Sequence, residues 1–78
     1  MRIPIIDLPA TCDNLKRVFD ERGYTIAKIQ KEIGLESAQA VYKWFSGKSL
    51  PSIDNLIIIS DRLGIPLDDI IIKKYIDI

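Results

Sequence analysis

Apolar residues recur at three- and four-residue steps along the middle of the chain, and each periodic stretch lies between a potential capping residue and a glycine. Leu15, Val18 and Phe19 make one such face, with Thr11 placed to cap its first turn and Gly23 to stop it. Thr25 precedes a second stretch, Ile26, Ile29 and Ile33, ended by Gly34 as a left-handed terminator. After the short connection through Leu35 and Glu36, Ser37 is expected to cap a third helix whose stripe is Val41, Trp44 and Phe45 and whose stop is Gly47. Ser52, behind Pro51, opens a fourth with Ile53, Leu56, Ile57, Ile59 and Leu63 before Gly64. That segment is apolar on most of its circumference and is expected at the centre of the fold. A fifth opens at Pro66, with Asp68 and Asp69 in the first turn where the helix dipole favours negative charge.

The two ends of the chain have a different character. Ile3, Ile5 and Ile6 at one end and Ile70, Ile71 and Ile72 at the other are β-branched runs of strand-like composition. They are expected to pair as a small two-stranded ribbon, within one chain or across a dimer. The expected architecture is therefore all-α, a five-helix domain over residues 11–72, preceded by an extended segment at 1–10 and followed by a tail at 73–78.

A length of 78 residues suits one domain and leaves little room for an enclosed active-site cavity. With 47% hydrophobic and 28% charged residues, the composition excludes intrinsic disorder. The net charge is zero, but it is unevenly spread. Seven basic residues face five acidic ones between Thr11 and Lys48, whereas three face five from Ser49 to Ile78. Any electrostatic footprint for nucleic acid thus belongs to the first half, and it is mild. The lone Cys12 cannot form an internal disulfide, which suits a reducing cytoplasm, and is expected to act as a small apolar filler. The first apolar stretch is interrupted by Pro4, Asp7 and Pro9 and lacks a small-residue cleavage site, so no signal peptide is expected. No apolar run approaches the roughly 20 residues that a bilayer requires, and a cytoplasmic protein without membrane contact is expected.

Two short helices joined by a tight glycine-containing turn, then a longer loop and further helices, make the layout of a helix-turn-helix domain. From Asn14 to about Ile71 the chain resembles the phage Cro and repressor (XRE-type) helix-turn-helix family of bacteria and phages. The residues that carry the resemblance are Gln39-Ala40-Val41-Tyr42-Lys43-Trp44, Gly47-Lys48, Leu50-Pro51-Ser52 and Asp54-Asn55-Leu56. It implies a sequence-specific regulator of transcription, a repressor, that sets its third helix in the major groove of double-stranded DNA and binds paired half-sites as a homodimer.

Much of that motif is scaffold. Val41 and Trp44 lie three apart on the core face, Phe45 packs under the loop or stays exposed, and Gly47 provides a positive-φ helix end. Gly47-Lys48-Ser49 matches the end of a phosphate-binding nucleotide loop, but that motif needs a glycine five residues earlier, where Tyr42 stands. Nucleotide binding is rejected. The opposite face carries Ala38, Gln39, Tyr42, Lys43 and Ser46. Gln39 has the amide to pair bidentately with adenine N6 and N7, and Lys43 the ammonium for guanine O6 and N7. The family's base-reading positions map onto these two. Tyr42 suits a thymine methyl or the backbone, and Ala38 is small enough for close approach. Phosphate contacts, which orient the protein and carry the salt-dependent affinity, are assigned to Thr25, Lys28, Ser46 and Lys48. Without the resemblance, Gln39 and Lys43 read rather as a plain solvated helix face, and the resemblance reverses that preference.

Three positions depart from the family. Ile26 stands where many relatives have a phosphate-touching glutamine, and Gln30 where they have a small alanine packing the two helices together. The turn between Gly34 and Val41 is one residue longer, with Glu36 or a neighbour inserted, which would alter the angle of the third helix in a groove.

Catalysis has no foothold. There is no histidine, one cysteine, and no cluster with zinc spacing, so no catalytic residue, metal site, cofactor or small-molecule site is expected. The rival reading is a protein-interaction module or antitoxin-like partner on the same fold, since fold does not fix function. Neutral charge, an acidic second half and isoleucine-rich ends point that way. A homodimer joined through the region of Ile70 to Ile78 is expected under either.

Overall fold

The computed structural model describes residues 1–78 and contains, in order, β1 (Arg2–Ile6), α1 (Leu8–Glu21), α2 (Ile26–Ile33), α3 (Gln39–Phe45), α4 (Ile53–Leu63), α5 (Leu67–Ile70) and β2 (Lys73–Asp77). Five helices and a two-stranded antiparallel sheet formed by the ends of the chain are thus the whole architecture.

The caps explain most boundaries. The Thr25 hydroxyl accepts from the Lys28 amide at 3.1 Å and opens α2, while Ser52 does the same for Asn55 at 3.1 Å and opens α4. Gly34 (φ +80°) and Gly64 (φ +65°) close these helices in the left-handed conformation that side chains resist. α1, however, starts earlier than Thr11. Its cap is Asp7, whose carboxylate accepts from the Ala10 amide at 3.1 Å, and Pro9 fits the first turn, where a missing N–H costs nothing. Residues 8–10 are consequently helical rather than extended. Thr11 instead lies fully buried one turn in, where its hydroxyl donates to the Ile72 carbonyl at 3.2 Å and accepts from the Ile72 amide at 2.9 Å. The hydroxyl is used between elements, not at a helix end. α3 also differs, because Ala38 occupies the cap position and contributes no side-chain bond. Ser37 accepts weakly from the Gln39 amide at 3.4 Å, a local turn two residues wide. At α5, Pro66 is the cap and Leu67 the first helical residue.

One core joins the helices. It comprises Leu15, Val18 and Phe19 of α1, Ile29 and Ile33 of α2, Val41 and Trp44 of α3, Leu56, Ile59 and Leu63 of α4, and Ile70 of α5. Each such side chain contributes about 1.5–3 kcal/mol by leaving water. Phe45 is half-buried, its ring 6.2 Å from that of Phe19. α4 is not surrounded on all sides. Leu56, Ile59 and Leu63 face inward, but Ile53 is 74% and Ile57 53% exposed, because α4 packs with α2 and α5 on one side only. Cys12 is buried, and its Sγ lies 3.5 Å from the Ser49 carbonyl.

The ribbon forms within the chain, but its second strand lies farther along than the isoleucine run indicated. Ile70 ends α5 in the core, Ile71 and Ile72 are transitional, and residues 73–77 pair with β1 in the register Arg2 to Asp77 through Ile6 to Lys73. Within the expected C-terminal tail, residues 73–77 form this second strand. β2 is exposed throughout, and the principal extents of 42, 24 and 21 Å describe an elongated molecule. Ties at the ribbon's base come from Thr11 and from the Asp7 amide, which donates to the Ile72 carbonyl at 2.8 Å.

Candidate functional site

α3 is short, and its own sequence divides it into two faces. Val41 and Trp44 are buried against α1 and α2, so the residues between them turn outward. Gln39, Tyr42, Lys43 and Ser46 are all exposed, Tyr42 to 59%. Their spacing of three, four and seven residues makes a single stripe, about 10 Å long at 1.5 Å per residue. Ala38 stands half-buried at its N-terminal end. The five sequence-assigned positions of this face thus fall together on one surface.

The stripe is bounded by orienting contacts. Gly47 (φ +76°) turns the chain out of α3, and the Lys48 amide donates back to the Lys43 carbonyl at 3.0 Å. Ser46 donates its hydroxyl to the same carbonyl at 3.2 Å. Lys48 is exposed beyond this turn. Thr25 and Lys28 lie apart from the stripe in sequence, at the start of α2. The Thr25 hydroxyl accepts the Lys28 amide and keeps its own proton free to donate, while the Lys28 ammonium sits 4.4 Å from the centre of the Tyr24 ring. A cation so placed is held in position while part of its hydration shell stays open to solvent. Arg17 and Arg62 make the ion pairs of the chain, with Glu21 and with Asp61 and Glu32, so Lys43 and Lys48 carry unpaired charge.

The positions that depart from the family pattern take scaffold roles. Ile26 packs partly against the core, and Gln30 is half-buried. The connection from α2 to α3 is Gly34 to Ala38, with Glu36 and Ser37 both exposed. Ser37 was not among the sequence candidates, although it stands directly beside Gln39 with a hydroxyl proton free to donate. Its signal was a hydroxyl residue just ahead of the third helix, which reads equally as a cap.

Chemically, the stripe offers an amide, a phenol, an ammonium and a hydroxyl on one exposed helix face. Such a surface suits docking into a groove and provides no enclosure for a small substrate. Burial pushes the Cys12 thiol above its ordinary range, with the Asp13 charge adding to the effect, and the buried sulfur packs against the Ser49 carbonyl. No helix is long and apolar enough to cross a membrane.

Among known families, the helix-turn-helix profile matches the chain over residues 15–70. That span runs from Leu15 of α1 to Ile70 of α5, so it encloses all eleven residues of the main hydrophobic cluster, with the buried Thr11 and Cys12 just ahead of it. The family is non-catalytic. No curated protein and no solved structure matches the chain.

Proposed function

We propose that this chain, which belongs to the XRE-type helix-turn-helix family, is a sequence-specific DNA-binding repressor that reads bases with α3 as a homodimer. The observation that carries the reading is the outward stripe of Gln39, Tyr42 and Lys43 on a helix whose other face is locked into the core by Val41 and Trp44. A rigidly held polar helix face is what direct readout requires, since the base edges of the major groove present fixed donors and acceptors. Gln39 pairs with adenine, Lys43 with guanine, Tyr42 packs on a thymine methyl or the backbone, and Ala38 permits close approach. Thr25, Lys28, Ser46 and Lys48 hold the flanking phosphates. With a net charge of zero, affinity depends on these few local cations and not on a general basic field. Repression in this reading follows from occupation of the site.

The test is a salt titration of binding to the preferred site. Gln39→Ala and Lys43→Ala each cost about 1–3 kcal/mol and relax preference at one base position. Lys48→Ala weakens binding to all sequences alike and lowers the slope of log K against log salt by about 1. Equal losses on every sequence for all three substitutions would remove base reading from α3. The exposed pair Ile53 and Ile57 favours a second reading, a protein-interaction module, and absence of DNA binding at low salt would select it.

A further inference from the structure

Each strand of the ribbon turns one row of backbone groups toward the other strand and one row toward solvent, and the two outward rows differ. Met1 and Ile78 exchange both backbone bonds at 2.9 Å, and the Asp7 amide donates to the Ile72 carbonyl at 2.8 Å. In an antiparallel ladder, bonded and non-bonded pairs alternate. Ile3–Ile76 and Ile5–Lys74 are therefore the bonded pairs, whereas Arg2–Asp77, Pro4–Tyr75 and Ile6–Lys73 point their N–H and C=O groups outward. The middle of the outward row on β1 is Pro4, which has no N–H to give, a residue that blunts an edge. On β2 the outward row is complete, because Lys73, Tyr75 and Asp77 each carry a free donor and acceptor, and all of β2 is exposed.

We propose that the chain dimerises through the free edge of β2, which pairs antiparallel with β2 of a second copy about a two-fold axis at Tyr75. The inference rests on the homodimer reading above and supplies its interface. Only this two-fold register engages all three outward residues. It sets Lys73 opposite the partner's Asp77, Asp77 opposite the partner's Lys73, and Tyr75 opposite the partner's Tyr75. Both ion pairs arise from one chain's own sequence, as an isologous contact demands, and opposite charges directly across a pair of strands stabilise it. The joined sheet would have four strands, with the blunted β1 edges outermost. Alternation places Ile3, Ile5, Ile76 and Ile78 on one face of each ribbon together with Lys74, so doubling the sheet brings the isoleucines of both copies onto one face, with the two Lys74 side chains among them. A lone two-stranded ribbon is marginal in water and four strands are not, which gives the exposed β2 a reason to seek this partner.

Sedimentation equilibrium of the full chain without DNA tests the assignment. Lys73→Asp and Asp77→Lys each replace two attractive cross-strand pairs with two repulsive ones and weaken self-association roughly tenfold. An equimolar mixture of the two variants regains the dimer of the parent chain, since every cross-strand pair is again of opposite sign. Tyr75→Pro, which removes an outward donor and leaves the intrachain ladder bonds in place, yields a monomer with unchanged helical circular dichroism. A parent chain that stays monomeric at high concentration overturns the proposal, as does a mixture no tighter than its components. Dimerisation lost in Ile57→Ser but kept in Lys73→Asp would also overturn it. No DNA enters the measurement, so the two readings fail separately: a ribbon-joined dimer that binds no DNA refutes the functional reading alone, and a monomer that reads bases refutes the interface alone.

Discussion

Within α3, neighbouring residues have opposite duties, and substitution separates them. Trp44 is 2% exposed and fills the centre of the core, so Trp44→Ala is expected to cost about 3–5 kcal/mol of stability, measured by urea denaturation. Tyr42→Ala, two residues earlier on the exposed stripe, should change stability by about 0.5 kcal/mol or less. The same scale covers Cys12. Its folded-state thiol ionises above the ordinary value because of burial and then the Asp13 charge. Its contribution to stability is thus full below the unfolded thiol value of about 8.5 and is lost as pH rises through the higher folded value. Alkylation of the native protein should accordingly proceed only through opening of the fold, at a rate that follows denaturant concentration.

Among the elements, the helices were legible in the sequence because each carries its own start and stop. Thr25 and Ser52 cap as their position suggests, and Gly34 and Gly64 terminate as their spacing suggests. Thr11 misled because a buried hydroxyl bonded to a distant backbone has the same local sequence as a cap. The Ile70–Ile72 run misled for a related reason. β-branched composition describes a residue that fits a packed surface, and Ile70 fits the core from the end of a helix as well as it would from a strand. Ile53 and Ile57 looked central because apolar periodicity cannot tell which flank of a helix lacks a neighbour. The Thr11 bonds give a prediction here. Thr11→Val leaves the Ile72 amide and carbonyl without that partner and should cost about 1–3 kcal/mol. Hydrogen exchange should accelerate most at Asp7, Ile72 and the ribbon amides, with the α2–α3 amides little changed.

At the scale of the molecule, the candidate site was legible to the extent that it is a helix face. Once Val41 and Trp44 are committed to the core, Gln39, Tyr42 and Lys43 have nowhere to point but outward. The flanking contacts were less legible, since Lys28 rests over Tyr24 and Ser37 stands beside Gln39 through tertiary and turn geometry that periodicity does not encode. A neutral chain that binds DNA through one short helix per copy gains little from a single contact, so the reading needs two copies on two half-sites. The family match supports DNA binding in general, and the particular contacts are the part proposed for the exposed stripe.

The most direct measurement is selection of binding sites from a random double-stranded DNA pool by the parent chain at low salt. Base reading by a dimer predicts enrichment of one two-fold-related sequence, with half-sites about 34 Å or one helical turn apart and an affinity that falls steeply as salt rises. No enrichment, together with no binding at the lowest salt, would contradict it and leave the stripe on α3 as a solvated or protein-facing surface.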